Sequence, residues 1–214
     1  GPDHGAAVTV RSQIEMAKPI MKNPVLWGIA LVEALREMAL VPFDTFLPLY
    51  LDNDVGMSPL ARGLHIGLLV ALGTATTPVM GYVSDRIGRK QVLVPVVVAL
   101  SGLTFLMVPF GTGAPLTLII ALLGLFLYTD QPILTAAALD IVGQDVAATT
   151  LGVLSFYRFA LSAASPLIAG YLYNSLSSDA FFFYVGALLA LAAVVLMVLP
   201  LRRPVQPVAS EHTH

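Results

Sequence analysis

The sequence predicts an all-α protein, a polytopic membrane bundle of six transmembrane helices. Of its 214 residues, 57% are hydrophobic and only 11% are charged, with a mean hydropathy of +0.84. A soluble domain carries about a quarter charged residues, so the bilayer is the natural solvent for this chain. Six segments supply the roughly 20 mainly apolar residues that a spanning helix needs. The links between them are short and contain Gly, Asn, Asp or Ser, the residues that stop helices and form turns.

The spans are placed in order at Val25–Tyr50, Pro59–Val83, Gln91–Phe110, Pro115–Leu139, Thr150–Tyr173 and Ala180–Leu201. The first follows a polar segment, residues 1–24. The second begins after Ser58-Pro59, an N-cap followed by proline at the first helical position. Pro42, Pro78, Pro132 and Pro166 fall within spans and predict kinks, because neighbouring helices can satisfy the carbonyls that proline frees. The link "SDRIGRK" separates the second and third spans, and "GTGA" the third and fourth. "DIVGQDVAAT" and "NSLSSD" separate the remaining three, and residues 202–214 form a tail predicted to be disordered.

Composition also excludes classes of function. A net charge of −2 gives no nucleic-acid footprint. Without cysteine there are no disulfides, thiolate chemistry or Cys-ligated metals. No metal spacing, phosphate loop or nucleophile triad stands out, so neither a cofactor nor an enzyme activity is expected. His212 and His214 read as tail residues, since nothing near them in sequence completes a metal site. Residues 1–17 carry no secretory signal, and Gly1-Pro2 has the look of a protease scar.

Lys and Arg set the expected orientation. An even number of spans puts both termini on one side, together with Arg11, Lys18, Lys22, Arg86, Arg89, Lys90, Arg202 and Arg203. The other side holds Arg62. Both termini are therefore expected in the cytoplasm of a cell (inner) membrane protein, in contact with lipid.

The densest charge cluster is "GYVSDRIGRK", residues 81–90. Gly81 and Gly88 permit close packing and left-handed turns. Asp85 can face the positive end of a neighbouring helix, and Arg86, Arg89 and Lys90 can reach carboxylates or lipid phosphate. A generic basic link with turn glycines accounts for these features too. The spacing G-x-x-x-D-R-x-G-R-K is more specific: it resembles the signature between the second and third helices of each half of the major facilitator superfamily of transporters.

That family builds twelve helices from two six-helix halves, and this chain resembles one half along nearly its whole length. "MKNPVLWG" is similar to the entry into the seventh helix, and "LGVLSFYRFALSAASPLIAGYL" to an eleventh helix. The arginine usual in the fourth helix of the N-terminal half is missing from "LTLIIALLGLFLYTDQPILTAAALD", so the resemblance is to the C-terminal half. It implies that Asp85 faces the start of the fifth span near Thr149, Thr150 and Leu151. It also implies that Arg86 or Arg89 meets Asp140 or Asp145. Gly81, Asp85, Arg86, Gly88, Arg89, Lys90, Asp140 and Asp145 would then form a gate, with contacts that hold one transport state and break in the other.

Ionisable residues inside a membrane are costly and usually face a bundle interior or an aqueous cavity. Glu33, Arg36, Glu37 and Asp44 of the first span fall within about 100° of arc at 100° per residue. The fourth span adds Asp130 and Gln131 beside Tyr128, and the fifth adds Tyr157 and Arg158. Asp130 and Arg158 match the depth of Glu33, Arg36 and Glu37, so opposite charges can pair. Glu37 is placed at the centre of the cluster; Arg36 is expected to turn toward Asp130 or Glu33, and Arg158 is then available to pair with Asp130, leaving at least one carboxylate without a fixed basic partner. A self-satisfied ion-pair cluster that only fixes packing is one reading of these residues. A substrate or proton site is the other, favoured by the unpaired carboxylate and by the resemblance, which makes these spans cavity-lining. His65 matches the depth of Asp44 and either meets it or is satisfied by backbone. Gly67, Gly73, Thr74, Thr76 and Thr77 read as close helix packing. Residues 181–184, Phe-Phe-Phe-Tyr, read as an interfacial aromatic belt.

The sequence thus points to half of a secondary transporter that moves a small-molecule substrate by alternating access, with proton coupling as an option. It requires a second six-helix half, either a separate chain or another copy. A membrane protein that keeps the fold without transport, such as an assembly partner or sensor, is the alternative.

Overall fold

The computed structural model describes residues 22–142 and 147–201. The segments predicted as an N-terminal cytoplasmic stretch and a disordered tail lie almost wholly outside these residues, as does Asp145. Among the described residues all regular structure is helical: α1 Pro24–Asn53, α2 Pro59–Ile87, α3 Arg89–Phe110, α4 Gly113–Leu127, α5 Asp130–Val142, α6 Ala147–Ser162, α7 Ser165–Ser175 and α8 Ser178–Val198. Helices α2, α3 and α8, and the stacked pairs α4/α5 and α6/α7, are each long and apolar enough to cross a membrane. Helix α1, 30 residues and about 45 Å at 1.5 Å per residue, has the length as well, but its charged stripe interrupts the apolar run. The protein is a multi-pass helical membrane bundle.

Capping fixes the starts of the first two spans. Asn23 Oδ1 accepts from the Val25 N–H at 3.0 Å, and Ser58 Oγ accepts from the Ala61 N–H at 3.3 Å. Each is followed by a proline, whose missing N–H costs nothing in a first helical turn. The link predicted over residues 84–90 is shorter than expected. Helix α2 runs to Ile87 and α3 starts at Arg89, with Gly88 alone between them at φ 113° and ψ 141°. Glycine adopts this backbone without a Cβ clash, so one residue reverses the chain.

Two predicted spans are broken. The fourth divides at Tyr128 and Thr129 and the fifth at Ala163 and Ala164. Pro132 and Pro166 follow these breaks closely, and each lacks the N–H that would tie a new turn to the one before it. Helices α1 and α2, by contrast, continue through Pro42, Pro48 and Pro78. Pro42 leaves the Met38 carbonyl without its helical donor, and Ser165 Oγ of α7 donates to that oxygen.

Helix α8 packs along α3 and α1, α2 lies on α4, and α6 lies on α1. Glycine permits the closest crossings. A Cβ on Gly124 would stand 2.7 Å from the Leu69 carbonyl oxygen, and one on Gly73 would collide with the Tyr128 ring. Thr76 Oγ1 donates to the Leu125 carbonyl at 2.8 Å across the same contact. Gly67 and Gly81 play no such part, since a Cβ on either meets nothing within 4 Å; Thr74 is exposed and donates to Val70 of its own helix. The predicted aromatic belt also needs correction. Phe181 and Phe182 are fully buried, with ring centroids 5.5 Å from Phe46 and 4.9 Å from Tyr50 respectively. The first turn of α8 packs against α1, so helical periodicity turns these two inward and leaves Phe183 outside.

Coverage is uneven. In the spanning windows of α3, α4/α5 and α8, 44% of residues are buried, against 11% for α2 and 17% for α6/α7. Two spans are left largely bare by the rest of the bundle.

Candidate functional site

The break between α4 and α5 organises the charged residues of the interior. A helix C-terminus leaves carbonyls without intrahelical donors, and a helix N-terminus carries positive potential. Leu127 ends α4 and Asp130 opens α5. Arg36 of α1 bridges the two ends: Nη2 donates to the Leu127 carbonyl at 2.9 Å and Nε to Asp130 Oδ2 at 2.5 Å. Its Nη1 lies 3.5 Å from Gln131 Oε1. Arg36 and Asp130 are both buried. Asp130 Oδ1 has no hydrogen-bond partner among the described residues.

Glu37 sits between two guanidiniums, with Oε2 3.8 Å from Arg36 Nη1 and 4.0 Å from Arg158 Nε. Arg158 also lies over the Phe159 ring, 4.7 Å from its centroid. The expected pairing is therefore corrected at one point. Arg158 meets Glu37 and not Asp130, because α6 packs along α1 and Asp130 is already held by Arg36. Among the described residues the carboxylate without an ion-pair partner is consequently Glu33, while Glu37, at the centre, is paired with both guanidiniums. Glu33 is buried, and among the described residues it makes no hydrogen bond; Arg158 and Arg36 are the cations in its surroundings. Three carboxylates thus share two guanidiniums.

Asp44, two turns further along α1, stands apart from this cluster. Its side chain is exposed, and Arg36, Glu37 and Tyr128 are in its electrostatic surroundings. The Tyr128 ring rests against Gly73 of α2. His65 does not reach Asp44: its Nδ1 pairs with the Ala61 carbonyl and its Nε2 with Thr117 Oγ1, both at 2.8 Å. Tyr157 packs edge-on against Trp27, with centroids 5.2 Å apart, so its ring braces α6 on α1.

At the Gly88 end of the bundle, Arg89 ties α2, α3 and α5 together. It pairs with Asp85 four residues earlier, places Nε 3.1 Å from Asp140 Oδ2 and donates from Nη1 to Ser84 Oγ at 3.0 Å. Asp85 thus gives its carboxylate to its own turn. Arg86 points elsewhere, 4.5 Å from the Tyr82 ring centroid. Lys90 Nζ donates to the carbonyls of Met197 and Leu199 at 2.5 and 2.7 Å, closing the C-terminal end of α8.

Sequence reasoning missed the Leu127 carbonyl, since a backbone acceptor leaves no mark on side-chain identity. It also missed Ser165, which joins Met38 and, through a 2.8 Å contact with the Tyr184 hydroxyl, α8. Pro42, four residues after Met38 in the same helix, is the signal that could have found the freed Met38 carbonyl.

A helical membrane bundle with ionisable residues gathered at the break of a discontinuous span defines a class, the polytopic membrane proteins with an internal polar site. Residues 26–214 match the family model of the Major Facilitator Superfamily, and the chain belongs to that family. It is similar to a multi-drug resistance efflux pump, PmrA, of Streptococcus pneumoniae, with 27% identity over 169 residues, 78% of this chain and 42% of the pump. It is also similar to a melibiose permease of Enterobacter cloacae, 26% identical over 162 residues, covering 74% and 31% of the two chains. A nitrite extrusion protein of Bacillus subtilis is 30% identical over 86 residues, 40% of this chain and 21% of that one. The chain spans less than half the length of these relatives.

Proposed function

We propose that this chain is the C-terminal six-helix half of a secondary transporter that moves a small solute by alternating access, with Glu33 as a proton-coupling carboxylate. The observation that carries the reading is the buried cluster of Glu33, Arg36, Glu37, Asp130 and Arg158. A network built only for packing would match its charges, whereas this one holds a carboxylate in excess and without a hydrogen bond. The proton affinity of such a group depends on its access to water and on the distance to Arg158. A motion that changes either one loads or releases a proton.

The bare spans supply the partner. Gly63, Gly67, Ala71 and Ala75 recur every four residues along α2 and all are exposed. Small residues at this spacing let another helix approach closely, which suits a second six-helix half, either a separate chain or another copy. The Asp85–Arg89–Asp140 network then acts as a gate at the cytoplasmic end, holding α2, α3 and α5 together in one state and parting in the other.

Flux in proteoliposomes tests the reading. The chain reconstituted with its partner half should take up solute when driven by an imposed pH gradient, and the Glu33→Gln variant should lose proton-driven uptake while retaining counterflow exchange. Solute binding without flux would instead identify a non-transporting member of the fold.

A further inference from the structure

Resting on the transport reading, we infer that Thr76 of α2 is a positioning residue for the buried cluster: its single hydroxyl hydrogen latches the joint between α4 and α5 and so fixes where Asp130 meets Arg36. The carbonyls at a helix C-terminus must find donors from outside the helix. Leu125, Phe126 and Leu127 close α4, and each of their carbonyls is taken by a side chain. Thr76 Oγ1 donates to Leu125 at 2.8 Å, Thr129 Oγ1 to Phe126 at 2.8 Å and Arg36 Nη2 to Leu127 at 2.9 Å. The Tyr128 carbonyl comes next, freed because Pro132 four residues on has no N–H, and Thr77 Oγ1 lies 3.4 Å from it. The joint is thus held from α1 by the arginine of the cluster and from α2 by a pair of threonines.

A choice between equal acceptors sets Thr76 apart. A hydroxyl has one hydrogen to give. Thr77 Oγ1 is 2.7 Å from the Gly73 carbonyl of its own helix and 3.4 Å from that of Tyr128, so its hydrogen stays within α2. Thr76 Oγ1 is 2.8 Å from the Leu72 carbonyl of its own helix and 2.8 Å from the Leu125 carbonyl across the contact. Turning the hydrogen to Leu72 leaves the hydroxyl satisfied and gives up only the cross-helix hold, so the latch opens and closes without stranding a donor. The effect reaches the cluster through a short length of chain. Leu125, held by Thr76, is followed by Leu127, held by Arg36, and Asp130, which opens α5, is paired with the same guanidinium. Helix α2 is also the least covered of the apolar spans, with 11% of its window buried. A partner pressing on its outer flank therefore moves the residue that holds the joint. Thr74 supplies an internal contrast, since it is exposed and its hydroxyl rests on Val70 of its own helix.

Hydrogen–deuterium exchange of the purified full chain in lipid nanodiscs tests the latch without any solute. Thr76→Val keeps the shape of the side chain and removes the hydroxyl. Amides of residues 125–131 should then exchange faster by about two- to ten-fold, the range that one net hydrogen bond spans. Thr76→Ser, which keeps the hydroxyl, should exchange at the wild-type rate, and so should Thr74→Val. Matching elution profiles and helix content establish that the variants are folded, and Thr76→Ala takes the place of the valine variant should that one fail to assemble. In proteoliposomes with the partner half, Thr76→Val should lower proton-driven uptake while retaining counterflow exchange, and Thr76→Ser should restore the ratio of the two. Unchanged exchange at residues 125–131 in the folded hydroxyl-free variant, equal acceleration in Thr74→Val, or no rescue by serine overturns the inference. Flux separates it from the reading it rests on. Accelerated exchange specific to Thr76→Val in a chain that moves no solute overturns transport and leaves the latch, whereas full proton-driven uptake by that variant overturns the positioning role and leaves transport.

Discussion

Replacing Arg36 with methionine should be the most damaging single change in the interior, because it removes one partner of a buried pair and leaves the other. The guanidinium contacts Asp130 Oδ2 at 2.5 Å and the Leu127 carbonyl at 2.9 Å. Asp130 is fully buried, and its other oxygen already lacks a hydrogen bond among the described residues. Breaking a buried ion pair from one side costs about 3–5 kcal/mol, and an orphaned carbonyl adds about 1 kcal/mol. Arg36→Met should therefore lower stability by about 4–6 kcal/mol by these two terms. The double variant Arg36→Met with Asp130→Leu removes both charges and leaves chiefly the Leu127 carbonyl unsatisfied, so it should recover most of the loss. The coupling energy of the cycle should be at least about 3 kcal/mol, the upper end for residues in contact. Unfolding by sodium dodecyl sulfate in mixed micelles measures this, read by far-ultraviolet circular dichroism and by the fluorescence of Trp27, the single tryptophan, which packs on Tyr157. A single variant that unfolds with the wild type, or a double variant less stable than the single, would refute the argument.

Two further outcomes follow from the packing and the charge distribution. Gly124→Ala should destabilise by about 1–3 kcal/mol, because its Cβ would lie 2.7 Å from a backbone oxygen of Leu69, whereas Gly63→Ala, with nothing within 4 Å, should be neutral or slightly stabilising in the same unfolding assay. For topology, cysteines at Asn53 and Ser177 should react with an impermeant thiol reagent on intact cells, and one at Arg86 only after the membrane is opened; external labelling at Arg86 would reverse the orientation.

Much of the helical layout was legible because the bilayer leaves a chain few options. Apolar length locates a span whatever its partners, and Ser58-Pro59 marks its helix start by local chemistry. The charged stripe of α1 was equally readable, since periodicity alone puts Glu33, Arg36, Glu37 and Asp44 on one face. Partner choice was not. Arg158 could reach Asp130 or Glu37 on depth alone, and only the packing of α6 along α1 decides for Glu37. The breaks at Tyr128 and Ala163 escaped notice because proline inside a span is compatible with a continuous helix, as Pro42 and Pro78 demonstrate. Phe181 and Phe182 misled for a related reason: aromatic residues near a span end suit an interface as well as a core, and the neighbour that covers them is remote in sequence.

The single-residue reversal at Gly88 has a mechanical consequence. Two spans joined by a long loop can tilt independently, but with only Gly88 between Ile87 and Arg89 there is no slack to absorb relative displacement at that end. Arg89, anchored to Asp85 before the turn and to Asp140 beyond it, stiffens the joint further. A push delivered to the bare flank of α2 is therefore passed to α3, and through it to α8, which Lys90 grips at its terminal carbonyls. These three helices respond as one lever with its fulcrum at the glycine, whereas the divided spans α4/α5 and α6/α7 carry joints at mid-depth and can bend where the charges lie.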